Sequence, residues 1–67
     1  MHKIPDDFLS GLLGMSEEEA KATIQAAGYT FRLTAKDGSY FIVTRDLRSD
    51  RVNIQTFGGK VISAKVG

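Results

Sequence analysis

The sequence of 67 residues contains no cysteine and no tryptophan, one proline and one histidine. Without cysteine, neither a disulfide nor a thiolate zinc site is possible, so packing alone must hold a domain that buries only about 60% of its unfolded surface. No apolar run approaches the roughly 18 residues of a membrane span, and no signal-peptide core follows the first residues. We expect one domain over 1–67 with a flexible lead-in at 1–8. We also expect a monomer without cofactor or metal, with no membrane partner, and cytoplasmic by default.

Groups for catalysis are equally scarce. The single histidine, His2, lies at the N-terminus, and nothing in the sequence argues for its pairing with a serine and a carboxylate. The acidic residues 17–19 are better explained by helix capping than by paired catalytic carboxylates. Gly58 and Gly59 indicate a hairpin turn, not a phosphate loop. A chain this small rarely encloses a catalytic pocket, so the sequence predicts that the protein is not an enzyme.

The net charge of +1 is too small to indicate a nucleic acid or a membrane surface as partner. Its distribution is uneven, because residues 1–28 hold two lysines against five acidic residues, a net −3, whereas residues 29–67 hold seven basic and three acidic residues, a net +4. The arginines could contact phosphates, but Asp37, Asp46 and Asp50 are interleaved with them and reduce the local field. We therefore expect no nucleic-acid partner.

The apolar pattern changes along the chain from a helical to a strand period. Ser16 and Glu19 predict a capping box and Gly28 predicts a helix stop, so we expect one helix over 16–27. The apolar residues of the preceding segment should pack back on the core. Strands are expected at 29–34, 40–43, 52–55 and 62–66, with turns at 36–39 and 58–59. This order predicts an α+β fold, with one α-helix packed on a small mixed β-sheet.

The polar segment 44–50 lies between two predicted strands and contains neither glycine nor proline. Arg48 and Arg51 can donate paired hydrogen bonds to neighbouring aspartates or to loop carbonyls. Such bonds would hold residues 41–50 as an extended, exposed loop. A loop of that shape presents main-chain donors and acceptors to the cleft of a partner, and its prior ordering reduces the entropy cost of binding. A protease cleft requires this shape.

Two sequence blocks carry a family resemblance. Residues 14–21 read GMSEEEAK and match the pattern G-x-S-x-E-E-A-K, while residues 43–52 read VTRDLRSDRV and are similar to V-T-x-[ED]-Y-R-x-D-R-V. Together they resemble the potato type I serine protease inhibitors, which include eglin, the barley chymotrypsin inhibitor and, closest in pattern, small bacterial relatives. The loop block is the more specific, because the helix start is also similar to the opening of PASTA modules.

The resemblance implies a reactive-site loop over residues 42–48 that inhibits a serine protease by binding like a substrate. Arg45 would be the P1 residue, and the bond between Arg45 and Asp46 the scissile bond. Val43 and Thr44 would precede it, and Leu47 would occupy P2′, where the family often has an aromatic residue. Arginine at P1 suits a protease with an acidic S1 pocket, so the implied target is trypsin-like or subtilisin-like.

The resemblance also implies which residues brace the loop. Arg51, together with Arg48, would bond Thr44, Asp46 or nearby carbonyls. Many plant members have a second bracing arginine two residues after the first, and here Asn53 occupies that position. With fewer braces the loop could be cut instead of inhibiting. The alternative hypothesis is a non-inhibitory interaction module on the same scaffold, PASTA-like or phage-type, that binds its partner through the sheet or helix face.

Overall fold

A computed structural model of the chain describes residues 4–44 and 46–67. The helices in these residues are α1 (Asp6–Leu12) and α2 (Glu17–Ala26), and the strands are β1 (Thr30–Lys36), β2 (Ser39–Tyr40), β3 (Arg51–Phe57) and β4 (Lys60–Val66). The strands form one sheet in the order β2-β1-β3-β4, in which β1 and β3 are parallel and the other neighbours antiparallel. The predicted α+β fold with a mixed sheet is confirmed, with two helices instead of one.

The helix α2 begins at the predicted capping box. The Ser16 hydroxyl accepts a hydrogen bond from the Glu19 amide at 3.1 Å, and the Glu19 carboxylate accepts one from the Ser16 amide at 3.5 Å. The three glutamates of the first turn also face the positive end of the helix dipole. Ala20 and Ile24, four residues apart on one face, are buried against the sheet.

The apolar residues of the segment before α2 pack back on the core, as predicted, and they include Ile4 and Phe8 of the expected lead-in. Ile4 is buried, α1 begins at Asp6, and the Phe8 ring packs edge-on against Tyr29 with centroids 5.2 Å apart. Leu12 at the end of the helix is also buried. The apolar surface that α1 covers outweighs the poor helix-forming tendency of a segment of seven residues that contains Gly11. Residues 1–3 of the predicted lead-in lie outside the described residues.

The two faces of the sheet have different chemistry. Along β3, Val52, Ile54 and Thr56 alternate into the core beneath the helices and are buried. Because β3 pairs with strands on both sides, the core is centred on it. The opposite face is polar: Asn53 on β3 is in register with Arg32 on β1 and with Lys65 on β4. This polar face is the one toward the predicted loop.

Two tight turns lie together at one end of the sheet. Asp37 and Gly38 have φ angles of 52° and 83° in the β1–β2 turn, as expected for an Asp-Gly hairpin. The Asp37 carboxylate accepts a hydrogen bond of 2.8 Å from the Gly58 amide in the β3–β4 turn. The strand β2 is shorter than the predicted 40–43, because after the bond from the Phe41 amide to the Thr34 carbonyl the chain leaves β1.

Among the described residues, neither α1 nor α2 is long and apolar enough to cross a membrane.

Candidate functional site

The predicted loop and the polar face of the sheet together line a cleft of about 410 Å³. The loop contributes Val43, Thr44, Asp46 and Leu47. The sheet contributes a polar set from three strands: Arg32, Thr34, Asn53, Gln55, Ser63 and Lys65. Because space separates the loop from the sheet, the position of the loop depends on the side chains that cross the cleft. Arg45, the predicted P1 residue, lies outside the described residues.

Arg51 joins the loop to the sheet from the first position of β3. Its side chain is buried, with its Nη2 atom 2.6 Å from the Asp46 carbonyl oxygen and its Nη1 atom 3.4 Å from Asp46 Oδ2. On the other side, Nε donates to the main-chain oxygen of Gly67 at 2.7 Å, and the Gly67 amide donates to the Arg51 carbonyl at 3.1 Å. The planar guanidinium is therefore fixed at both ends, and burial of its charge is offset by these acceptors.

Asp46 links the two sides of position 45. A hydrogen bond from the Thr44 hydroxyl, assisted by the charge of Arg51, lowers the pKa of the Asp46 carboxyl below its ordinary value of 3.8, against a smaller opposing effect of desolvation. The carboxylate is therefore ionised at neutral pH and accepts hydrogen bonds from the residue before position 45 and from the strand below. The structure thus brings Thr44, Asp46 and Arg51 together.

Arg48, predicted as a brace, makes its hydrogen bonds elsewhere. Its Nε and Nη2 atoms donate to the two carboxylate oxygens of Asp50 at 3.0 and 2.9 Å, and this ion pair raises the pKa of Arg48. The predicted bonds to Thr44 or Asp46 are replaced by this pair because Asp50 is only two residues away on the same turn. Arg48 therefore stabilises mainly the end of the loop that enters β3.

Asn53, the third predicted brace, contacts the loop only through another residue. Its Oδ1 atom accepts a hydrogen bond of 2.8 Å from Nε of Arg32. The Arg32 Nη1 atom in turn donates to the carbonyl oxygen of Thr44 at 3.3 Å and to its hydroxyl at 3.2 Å. In the sequence, Arg32 is only one of several arginines that could contact phosphates. The signal that identifies it is the register that places Arg32 beside Asn53, which needs the strand pairing.

Large apolar side chains stand at both ends of the braced segment. Ile42 is 104% exposed and Leu47 is 88% exposed, more than any other large apolar side chain among the described residues. Exposed apolar groups on a fixed loop are suited to burial in a partner's pockets. In residues 4–44 and 46–67, no three histidine, aspartate or glutamate side chains are grouped to hold a metal ion.

Comparison with protein-family models, with curated proteins and with solved structures finds no match to this chain. The resemblance to the potato type I inhibitors therefore rests on the two sequence blocks.

Proposed function

We propose that the protein is a serine protease inhibitor of the substrate-like type, which inserts residues 42–48 into the cleft of the protease with Arg45 as P1. The observation that carries this proposal is the 2.6 Å hydrogen bond from buried Arg51 to the Asp46 carbonyl. It ties the residue that follows the proposed scissile bond to the central strand. The exposure of Ile42 and Leu47 and the match of residues 43–52 to the inhibitor pattern also support it.

Inhibition follows from what happens to the cut chain. The serine of the protease attacks the Arg45 carbonyl, an acyl-enzyme forms, and the amine of Asp46 is the leaving group. Because Arg51 holds Asp46 on the sheet, this amine stays beside the acyl carbon, excludes the hydrolytic water and reacts back at a high effective concentration. The peptide bond reforms, and the protease remains occupied by a substrate that it releases slowly.

The side chains of the loop indicate the class of protease. A positively charged P1 residue requires an acidic S1 pocket, as in trypsin-like enzymes. The fixed contacts of Thr44 and Asp46 reduce the conformational entropy that the loop loses on binding, which favours tight association. The helices contribute indirectly, because they pack against the buried side chains of β3.

Titration of trypsin and of subtilisin with the protein tests the proposal. We expect nanomolar inhibition, with Arg45→Ala abolishing it for trypsin. Lys36→Ala serves as the matched control, since it removes a positive charge from a side chain that lies outside the loop and pairs with Glu17. Rapid cleavage after Arg45 without inhibition would instead support the alternative, a non-inhibitory interaction module.

The role of Arg51 is tested in the same assay. Arg51→Lys keeps a positive charge but cannot contact Asp46 and Gly67 at once, so we expect the variant to be cleaved after Arg45 at least about tenfold faster, the effect of one lost charge-assisted hydrogen bond. Thermal unfolding measured in parallel verifies that the variant is folded. A folded Arg51→Lys protein that inhibits as tightly as the unaltered chain contradicts the bracing mechanism.

A further inference from the structure

We propose that Arg32 on β1 is a second positioning residue of the loop and that Asn53 on β3 orients it. Arg32 spans from the Asn53 Oδ1 atom, 2.8 Å from its Nε, to the carbonyl and hydroxyl oxygens of Thr44, 3.3 and 3.2 Å from its Nη1. The consequence for inhibition rests on the proposed function. The structural part, that Arg32 holds Thr44, stands independently of it.

The register of the sheet explains why Asn53 can orient Arg32. The two residues are paired across the parallel strands β1 and β3, so their side chains leave the same face about 4.8 Å apart. An arginine has four rotatable bonds, but a hydrogen bond at Nε fixes the plane of its guanidinium and leaves the terminal nitrogens to point outward. With Nε held by Asn53, Nη1 is directed to the loop.

The contacts form one continuous chain across the cleft. Asn53 holds Arg32, Arg32 holds Thr44, the Thr44 hydroxyl bonds the Asp46 carboxylate, and Asp46 is held by Arg51. Both ends of this chain lie on β3. The segment before position 45 is therefore attached to β1 through Arg32, and the segment after it is attached to β3 through Arg51.

This division predicts that the two sides of position 45 can be loosened separately. Removal of Arg32 frees the Thr44 main chain but leaves the Arg51 bond to the Asp46 carbonyl in place. Removal of the Asn53 side-chain amide leaves the Arg32 guanidinium present but without its orienting acceptor. Thr44 immediately precedes the proposed P1 residue, so a mobile Thr44 presents the scissile bond in many orientations.

Backbone ¹⁵N relaxation of the free protein tests the positioning role without any protease. In the unaltered protein we expect order parameters of about 0.85 at Thr44 and Asp46. In Arg32→Ala the value at Thr44 should fall below about 0.6 while Asp46 stays rigid. Asn53→Ala should also lower the order parameter at Thr44. Lys36→Ala, which removes a positive charge from the same strand as Arg32 at a side chain that pairs with Glu17, should change neither value.

A double variant tests the geometry by moving the guanidinium to the neighbouring strand. In Arg32→Ala/Asn53→Arg, the new side chain starts from the paired position on the same face, so it should reach Thr44 and restore its order. Trypsin should cleave Arg32→Ala after Arg45 about tenfold faster than the unaltered protein, as expected for loss of a charge-assisted hydrogen bond. The double variant should be cleaved as slowly as the unaltered protein.

The outcomes separate this proposal from the proposed function. If Thr44 is as rigid in Arg32→Ala as in the unaltered protein, the positioning role of Arg32 is overturned, whether or not the protein inhibits trypsin. If Thr44 loosens in Arg32→Ala but the unaltered protein does not inhibit, the positioning role stands and the inhibitor proposal fails. A folded Asn53→Ala protein in which Thr44 stays as rigid as in the unaltered protein overturns the role assigned to Asn53.

Discussion

Asp46 is the residue at which the contacts of the loop converge. Its carboxylate meets the Thr44 hydroxyl and the Arg51 guanidinium, and its carbonyl oxygen accepts the 2.6 Å bond from Arg51. The side chain itself is more than half exposed, so these contacts work at the rim of the cleft and not in the core. Their effect is to fix a local geometry, and they add little to the stability of the fold.

Protonation of Asp46 should therefore loosen the loop while the fold persists. The pKa of Asp46 is lower in the folded protein than its ordinary 3.8, so the stabilising contacts are complete above that value and are lost as the pH falls through the lower, folded-state pKa. Thr44→Val removes the hydroxyl, the largest cause of the lowering, and should raise the pKa of Asp46 toward 3.8. A ¹³C titration of the Asp46 side-chain carboxyl compares this pKa in the unaltered protein and in Thr44→Val.

The control for this titration is Thr23→Val, which removes a hydroxyl that bonds the Glu19 carbonyl on α2, on the opposite side of the sheet from the loop. It should leave the Asp46 titration unchanged. An Asp46 pKa that is the same in Thr44→Val and in the unaltered protein would mean that the hydroxyl does not bond the carboxylate, and the link between the two sides of position 45 would be lost.

At the scale of elements, α1 is the part whose contribution to stability is most easily measured. Leu12 is fully buried, whereas its neighbour Leu13 is 52% exposed. Leu12→Ala leaves a cavity between α1 and the sheet, so it should lower the free energy of unfolding by about 2–5 kcal/mol. Leu13→Ala should change it by less than about 0.5 kcal/mol. Urea denaturation compares them, and equal losses would show that α1 does not pack as described.

The same helix shows where sequence information ends. The start of α2 could be predicted because Ser16 and Glu19 form a local capping box within four residues. The helix α1 carries no such signal: its cap, Pro5, makes no side-chain hydrogen bond, and Gly11 disfavours a helix. Its formation depends on burial of Ile4 and Leu12 against distant strands, and nothing local in the sequence encodes that burial.

The contacts of the loop also include local ones, which the sequence indicates, and long-range ones, which it does not. Arg51 was predictable because it lies five residues after Asp46, which it contacts, and within the same sequence block. Arg48 also lies in that block, but the nearer Asp50 competes for it. The bond from Arg32 to Thr44 spans twelve residues and needs the parallel register of β1 with β3. Strand register is set by the burial of the opposite face, so the sequence around Arg32 does not reveal this contact.

Over the whole molecule, the sheet separates two tasks. One face carries the apolar core, in which Val52 and Ile54 of the central strand are buried beneath the helices. The other face carries the polar side chains that reach the loop. Because the same strand supplies both sets at alternate positions, the loop is attached to the most buried strand without any part of it entering the core. A chain of 67 residues without cysteine can thus hold a fixed loop, with packing for the core and hydrogen bonds from Arg32 and Arg51 for the loop.

This separation predicts that loop side chains affect binding and not folding. Ile42→Ser and Leu47→Ser each remove an apolar group that is exposed in the free protein, so the free energy of unfolding should change by less than about 0.5 kcal/mol. If these groups enter apolar pockets of the protease, each change should weaken inhibition of subtilisin by about tenfold to a hundredfold, the value of burying such a side chain. Ile62→Ser, also exposed and located on β4 beside α1, is the matched control and should leave inhibition unchanged. Inhibition by Ile42→Ser and Leu47→Ser as tight as by Ile62→Ser would mean that the two ends of the loop stay outside the cleft and that only the residues next to Arg45 bind.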